Sequence, residues 1–173
     1  MWGFDMHFGF SYVGFIYLLM LYIPNTLWIM YKPLNFEKYV GHENKILSIF
    51  EKIGQVCITG FAAIFTDFNI NSISIWSLIL LFSFIFLVLY EIYWIRYFKS
   101  ERTMKDFYSS ILGIPIAGAT LPVIAFFLLG IYGKNILMIL VSISLGIGHI
   151  GINYNRKKEA DNDDANANAN VKV

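Results

Sequence analysis

The chain has 173 residues, of which 57% are hydrophobic and 14% charged, with a formal net charge of +1. So small a charge gives no field that would gather nucleic acid or another polyanion, and the length leaves no room beside the apolar segments for a separate soluble domain. The single cysteine, Cys57, excludes an intrachain disulfide and any multi-cysteine metal site.

In chain order, apolar runs predict membrane-spanning helices over about 9–31, 48–66, 73–95, 110–132 and 135–153. Each is long enough for a hydrocarbon core of about 30 Å, which takes roughly 17–25 helical residues. Backbone polar groups cannot stay unpaired in lipid, so continuous runs of this length read as helices rather than as the short alternating strands of a barrel. The first run follows Met-Trp-Gly-Phe-Asp, with no basic residue, and ends in Tyr31-Lys32-Pro33 without a small-residue cleavage site. It therefore reads as a retained span and not a secretory signal. Ahead of the second run, Ile46, Leu47, Ile49, Phe50 and Ile53 share a helix with Lys45, Ser48, Glu51 and Lys52, the pattern of a helix lying at the interface before it plunges. Cys57, inside the second run, reads as a small hydrophobe.

The fourth run contains Pro115 and Pro122 with Gly118 between them. Each proline removes a backbone hydrogen bond, so a bend or local unwinding is expected. A short Gly-Lys-Asn turn joins the fourth and fifth runs into a predicted hairpin. Ser109, Gly113 and Ala117 on one side, and Ser142, Gly146 and Gly148 on the other, predict a close helix–helix seam. Gly146-Ile-Gly148-His-Ile-Gly151 matches a dinucleotide-binding pattern, but no strand precedes it and it lies within an apolar span, so that reading is set aside. Residues 1–155 form one membrane domain on this reading. From Arg156 the chain turns basic, then acidic, then to alternating Ala and Asn, and the tail 156–173 is expected to be disordered.

Basic residues fix the expected orientation. The first connection carries Lys32, Lys38 and Lys45, the third Arg96, Lys99, Arg102 and Lys105, and the segment after the fifth run Arg156, Lys157 and Lys158. The second connection, Asp67–Ser72, has none and the fourth has only Lys134. The fold class is thus an all-α, polytopic five-helix bundle of the cell membrane, with the N-terminus outside and the C-terminus cytoplasmic. Trp2, Trp76 and Tyr132 would mark the outer interface, and Trp28, Trp94 and Tyr97 the inner one.

That topology gives every polar residue a depth. Asn25, Gln55, Tyr90, Glu91 and His149 fall near the inner ends of their spans, with Glu51 at the entrance of the second. Ionisable groups at membrane depth are costly and commonly line interior cavities. Glu91, His149, Gln55, Asn25 and Tyr90 are therefore the candidate ligand-binding residues of a small inward-facing cavity for a small solute or lipid. Each also has a plainer reading: Glu91 as an ion-pair partner of Arg96, His149 as a packing hydrogen bond, Gln55 and Asn25 as interhelical hydrogen bonds. An accessory or sensing subunit that packs against another membrane protein is the competing expectation. An inner-leaflet lipid enzyme using Glu91 and His149 as acid and base is the third. No P-loop, Gly-x-Ser-x-Gly, His-Glu-x-x-His or Cys-x-x-Cys is present. No cofactor is expected and no metal either, since Glu51, Glu91 and His149 do not by type select one. The expected partners are the lipid bilayer and a second copy or another membrane protein.

The segments Glu91-Ile-Tyr-Trp-Ile-Arg-Tyr-Phe98 and Gly113-Ile-Pro-Ile-Ala-Gly-Ala-Thr-Leu-Pro122 resemble those of small multi-spanning membrane proteins of Gram-positive anaerobic bacteria. The resemblance covers most of the spans but not the tail. It implies membrane location and carries no activity or catalytic residue. Five spans also invite comparison with the tryptophan-rich sensory proteins, but their Trp- and Pro-rich loop motifs are missing here.

Overall fold

The computed structural model describes residues 6–171. Trp2 of the expected outer belt lies outside them. Helices α1 (Tyr12–Met30), α2 (Lys45–Ile64) and α3 (Ser77–Lys99) are followed by the single turn α4 (Met104–Phe107). Then come α5 (Ala117–Tyr132), α6 (Ile136–Leu145) and α7 (Gly151–Val171). A five-residue π-helical stretch, Gly146–Ile150, links α6 to α7 without a break. Among the described residues, four helices are long and apolar enough to cross a membrane: α1, α2, α3 and the continuous α6–α7 rod. The fourth apolar run forms a shorter helix, α5, of 16 residues, about 24 Å long.

Side chains at the helix starts supply the missing backbone partners. Ser11 Oγ accepts from Gly14 N at 3.0 Å, Asn44 Oδ1 from Ile46 N at 2.8 Å, and Asn135 Oδ1 from Met138 N at 3.0 Å. Thr103 and Asp106 form a reciprocal capping box around α4. The segment ahead of α1 is tied to the end of α2 by Gly9 N to Ile64 O and Ser11 N to Ala63 O, at 2.9 and 3.0 Å. The interfacial helix expected at 46–53 is not a separate element. α2 runs straight from Lys45, with Ile46, Ile49 and Ile53 on its exposed face, because apolar residues on that face meet lipid just as well when the helix stands upright.

Close packing occurs wherever a glycine removes the Cβ. A Cβ on Gly14 would lie 1.8 Å from Ala62 O, so α1 crosses α2 backbone to backbone. Gly54 faces the backbone of Leu145, and Gly148 that of Leu47 and Glu51, at 2.3–2.7 Å, which sets α2 against α6 and the π stretch. Gly118 lies under the Tyr93 ring and brings α5 onto α3. A buried relay, Tyr17 Oη to Ser83 Oγ (3.0 Å) and Ser83 Oγ to Ala125 O (2.6 Å), joins α1, α3 and α5.

The expected small-residue seam between the fourth and fifth runs forms only in part. Gly146 does approach α5, at Val123, but Gly148 packs on α2, and Ala117 sits in the α3 cluster with Tyr90 and Tyr93. Ser142 is buried within α6. Ser109 and Gly113 are not helical at all. The segment from Ser109 to Ile116 is unwound, with a local Ile111–Ile114 bridge and positive φ at Leu112, Gly113 and Ile116. Pro115 cannot donate to a helix turn, and the residue before a proline is steered away from helical geometry, so α5 starts only after it. The helix then continues through Pro122.

The tail also departs from expectation: α7 stays helical to Val171. An isolated helix of this polar composition would face the cost of nucleation, whereas one that grows from an existing span does not. Ala160 is buried against Phe36 and Tyr39 of the loop after α1, and Lys38 Nζ meets Asp163 Oδ2 at 2.6 Å.

Candidate functional site

The loop after α1, together with α4 and α7, each of which carries basic residues, packs at one end of the bundle, and the polar side chains converge just inside it. Two adjoining cavities of about 250 Å³ each share Asn25, Gln55, Gly118 and His149 in their walls. The deeper lobe adds Leu21, Ile58, Tyr90, Pro122, Phe126 and Leu145. The lobe toward the basic end adds Trp28, Glu51, Trp94, Tyr108, Asn153 and Arg156, among others. Small-molecule sites run to about 300–1,000 Å³, a range that the two lobes reach together.

Four of the five residues expected from depth alone are brought together: Asn25, Gln55, Tyr90 and His149 line this cleft. Asn25 Nδ2 donates to Leu21 O at 2.7 Å and to the Tyr90 hydroxyl at 3.0 Å, which leaves its carbonyl oxygen for another donor. Tyr90 is fully buried. His149 Nδ1 stands 2.6 Å from Glu51 Oε1, and Asn153 Nδ2 donates to His149 O at 2.7 Å. The π stretch positions the histidine. Its wider turn shifts the phase of the helix, and single-turn π bulges recur at functional positions. Gly148 lets that wide turn lie directly on α2, where Glu51 waits.

Glu91 does not join them. It is half-buried, lines neither lobe, and its Oε1 has no hydrogen-bond partner. Arg96, its expected ion-pair partner, instead donates to Ser109 Oγ (2.5 Å) and Ser110 O (2.9 Å) and so braces the unwound segment. Glu51 takes the place the sequence reading gave to Glu91. Its one signal was a carboxylate at the entrance of a span that carries Gln55 a turn later. Trp94 and Tyr97, expected as interfacial belt residues, are buried in an aromatic cluster with Phe107, and Trp28 stacks on Phe107 at 5.7 Å.

The charge at the mouth is paired. Arg156 Nη2 bonds Glu43, and Arg156 lines both the inner cleft and a separate 260 Å³ vestibule with Tyr39, His42 and Glu43. The Arg156 guanidinium holds the Glu43 carboxyl down at about 2, helped by the Gly41 amide. Burial pushes the Tyr108 hydroxyl up, against the pull of the neighbouring Arg156. Among the described residues no group of three or more His, Cys, Asp or Glu side chains converges to hold a metal ion. A further cavity of about 520 Å³ lies at the opposite end between α1 and α3, where Ile16, Ile73, Leu81 and Phe84 make an apolar groove with few polar groups. Acyl chains of a bilayer would cover such a groove, and its polar lining is limited to the hydroxyl residues Tyr12, Tyr17, Ser74 and Ser77.

No family model, curated protein or solved structure matches the chain.

Proposed function

We propose that this is a five-crossing protein of the cell membrane, with its C-terminus in the cytoplasm, that binds a small solute or lipid in a cleft opening toward the cytoplasm. α5 and the unwound segment before it make the fourth crossing together. One observation carries the reading: Asn25 of α1, Gln55 and Glu51 of α2, Tyr90 of α3 and His149 of the π stretch meet at a cleft beside the basic ends. Polar groups in lipid are retained where a cavity or partner gives them work. Non-helical backbone at membrane depth, as at Ser109–Ile116, is tolerated where protein or a water-filled cavity surrounds it. Ile116 is a β-branched residue held at φ 48° in the cleft wall, and strain of this kind tends to collect at ligand sites.

Accessibility tests the reading. In a Cys57→Ser background, Gln55→Cys is treated with a membrane-impermeant maleimide. Labelling in inverted vesicles and protection in intact cells is the expected result. No labelling from either side, or labelling only from outside, overturns it.

A further inference from the structure

Buried donors without partners concentrate in the lobe nearest the basic end. Of the buried side-chain polar atoms that lack a hydrogen bond, Trp28 Nε1, Trp94 Nε1, Tyr108 Oη and Arg156 Nε all belong to residues lining this one lobe. Trp94 and Tyr108 are each only 4% exposed. The indole of Trp94 packs edge-on to Tyr90, and the Arg156 guanidinium lies close enough to the Tyr108 hydroxyl to interact with it, but neither contact, nor any at Trp28 Nε1, has the distance and angle of a full hydrogen bond. Leaving a buried donor unbonded is costly, more so for a charged group. Packing alone does not call for such a set, because phenylalanine would fill the aromatic positions without the cost.

We infer that this lobe receives an oxyanion, a phosphate or carboxylate, carried as the headgroup of an amphiphile. The four atoms are N–H or O–H donors, and the indole and guanidinium groups have no acceptor to offer, so the head must bring acceptor oxygens, and the charge of Arg156 favours an anionic head over a neutral or cationic one. Arginine supplies charge as well as directed N–H groups, and it already stands at the mouth, tethered to Glu43 on one edge with Nε still free. The first turn of α5 adds its positive end, since Gly118 and Ala119 form part of the same wall. The opposing carboxylate, Glu51, is paired with His149. The deeper lobe is walled by Leu21, Ile58, Phe126 and Leu145 and offers a hydrocarbon tail a place to lie. This inference rests on the cytoplasm-facing cleft proposed above and gives that cleft its ligand class.

Trp28 and Trp94 supply the readout. Protein carrying Trp2→Phe and Trp76→Phe, in phosphatidylcholine nanodiscs, is titrated with dodecyl phosphate, inorganic phosphate and dodecyltrimethylammonium while indole fluorescence is followed. Saturable binding of dodecyl phosphate is expected. Arg156→Gln and Tyr108→Phe should each weaken it roughly tenfold or more. Arg156→Lys keeps the charge without the guanidinium fork and should fall between. Inorganic phosphate that binds as tightly would assign the site to a free anion, and its failure to bind would assign it to a lipid head. Thermal unfolding of each variant without probe shows that binding, and not folding, has been lost. Preference for the quaternary ammonium, or anion binding indifferent to Arg156 and Tyr108, overturns the ligand class. Either result, with Gln55→Cys still labelled from the cytoplasmic side, leaves the cleft itself standing. Absence of that labelling removes both.

Discussion

Gly148→Ala is the sharpest test of how the bundle holds its cleft. The new Cβ would sit 2.3 Å from Glu51 N and 2.5 Å from Leu47 O, both backbone atoms that cannot rotate aside. Ordinary contact begins at 3.4 Å, so α2 and the π stretch must part by about 1.1 Å. The same movement stretches the 2.6 Å His149–Glu51 contact to about 3.7 Å, beyond hydrogen-bond range. Overpacking of this kind costs about 1–3 kcal/mol, and the lost charged hydrogen bond adds a comparable amount. Alanine's better helix propensity returns about 1 kcal/mol. The net expectation is a loss of about 2–4 kcal/mol, or roughly 5–12 °C in the unfolding midpoint of a chain this size. Gly60→Ala, in α2 with nothing within 4 Å of its Cβ, is the control and should be neutral or slightly stabilising. Thermal unfolding in detergent micelles, followed by circular dichroism, compares the two. If Gly148→Ala melts together with Gly60→Ala, the backbone contact and its link to His149 are wrong.

Gly54→Ala should repeat the loss, since its Cβ meets the Leu145 backbone at 2.7 Å from the other side of the same crossing. A reporter active only in the cytoplasm should work when fused after Lys158 and be silent between Phe68 and Ser72, and the reverse result would invert every depth. Glu43 has a folded-state pKa lowered from 4.5 to about 2, so its pairing with Arg156 stabilises the fold above pH 4.5 and is lost as pH falls toward 2. Glu43→Gln should therefore melt lower than the parent at pH 7, by on the order of 1–3 kcal/mol, and approach it at pH 2–3. Glu91→Gln should leave ligand binding intact and cost no stability, because the carboxylate lines neither lobe and its Oε1 has no bond to lose. A loss of binding there would put Glu91 back in the site.

The level of a residue along the bundle was readable from the sequence, and its rotation was not. Asn25, Gln55 and His149 could be assigned to one level because span ends and basic loops fix how far each residue lies from the interface. Around α3 nothing marks the inward side, for apolar and aromatic residues occupy every face and Ser83, Glu91 and Arg96 form no common stripe. In water a polar stripe would reveal which side is out, but lipid demands no such stripe. Tyr90 turned inward, and Glu91, one residue and about 100° further round, turned away. The small residues were legible as close approach but not as partners: Gly148 reads the same whether it meets α5 or α2. The prolines marked where the helix could open but not which would: the chain is unwound at Pro115, whereas Pro122, which lacks the same N–H, sits inside α5. The π stretch had no such signal, because its glycines also fit a straight helix.

From Ile136 to Val171 the chain is one unbroken rod of about 54 Å, nearly twice the thickness of a hydrocarbon core. His149 and Arg156 in the cleft wall and Asp163 outside it ride on the same body. The loop after α1 grips that body at Glu43 and Lys38. A torque applied to the projecting end therefore reaches the histidine without passing through any joint, which makes the tail a handle on the cleft.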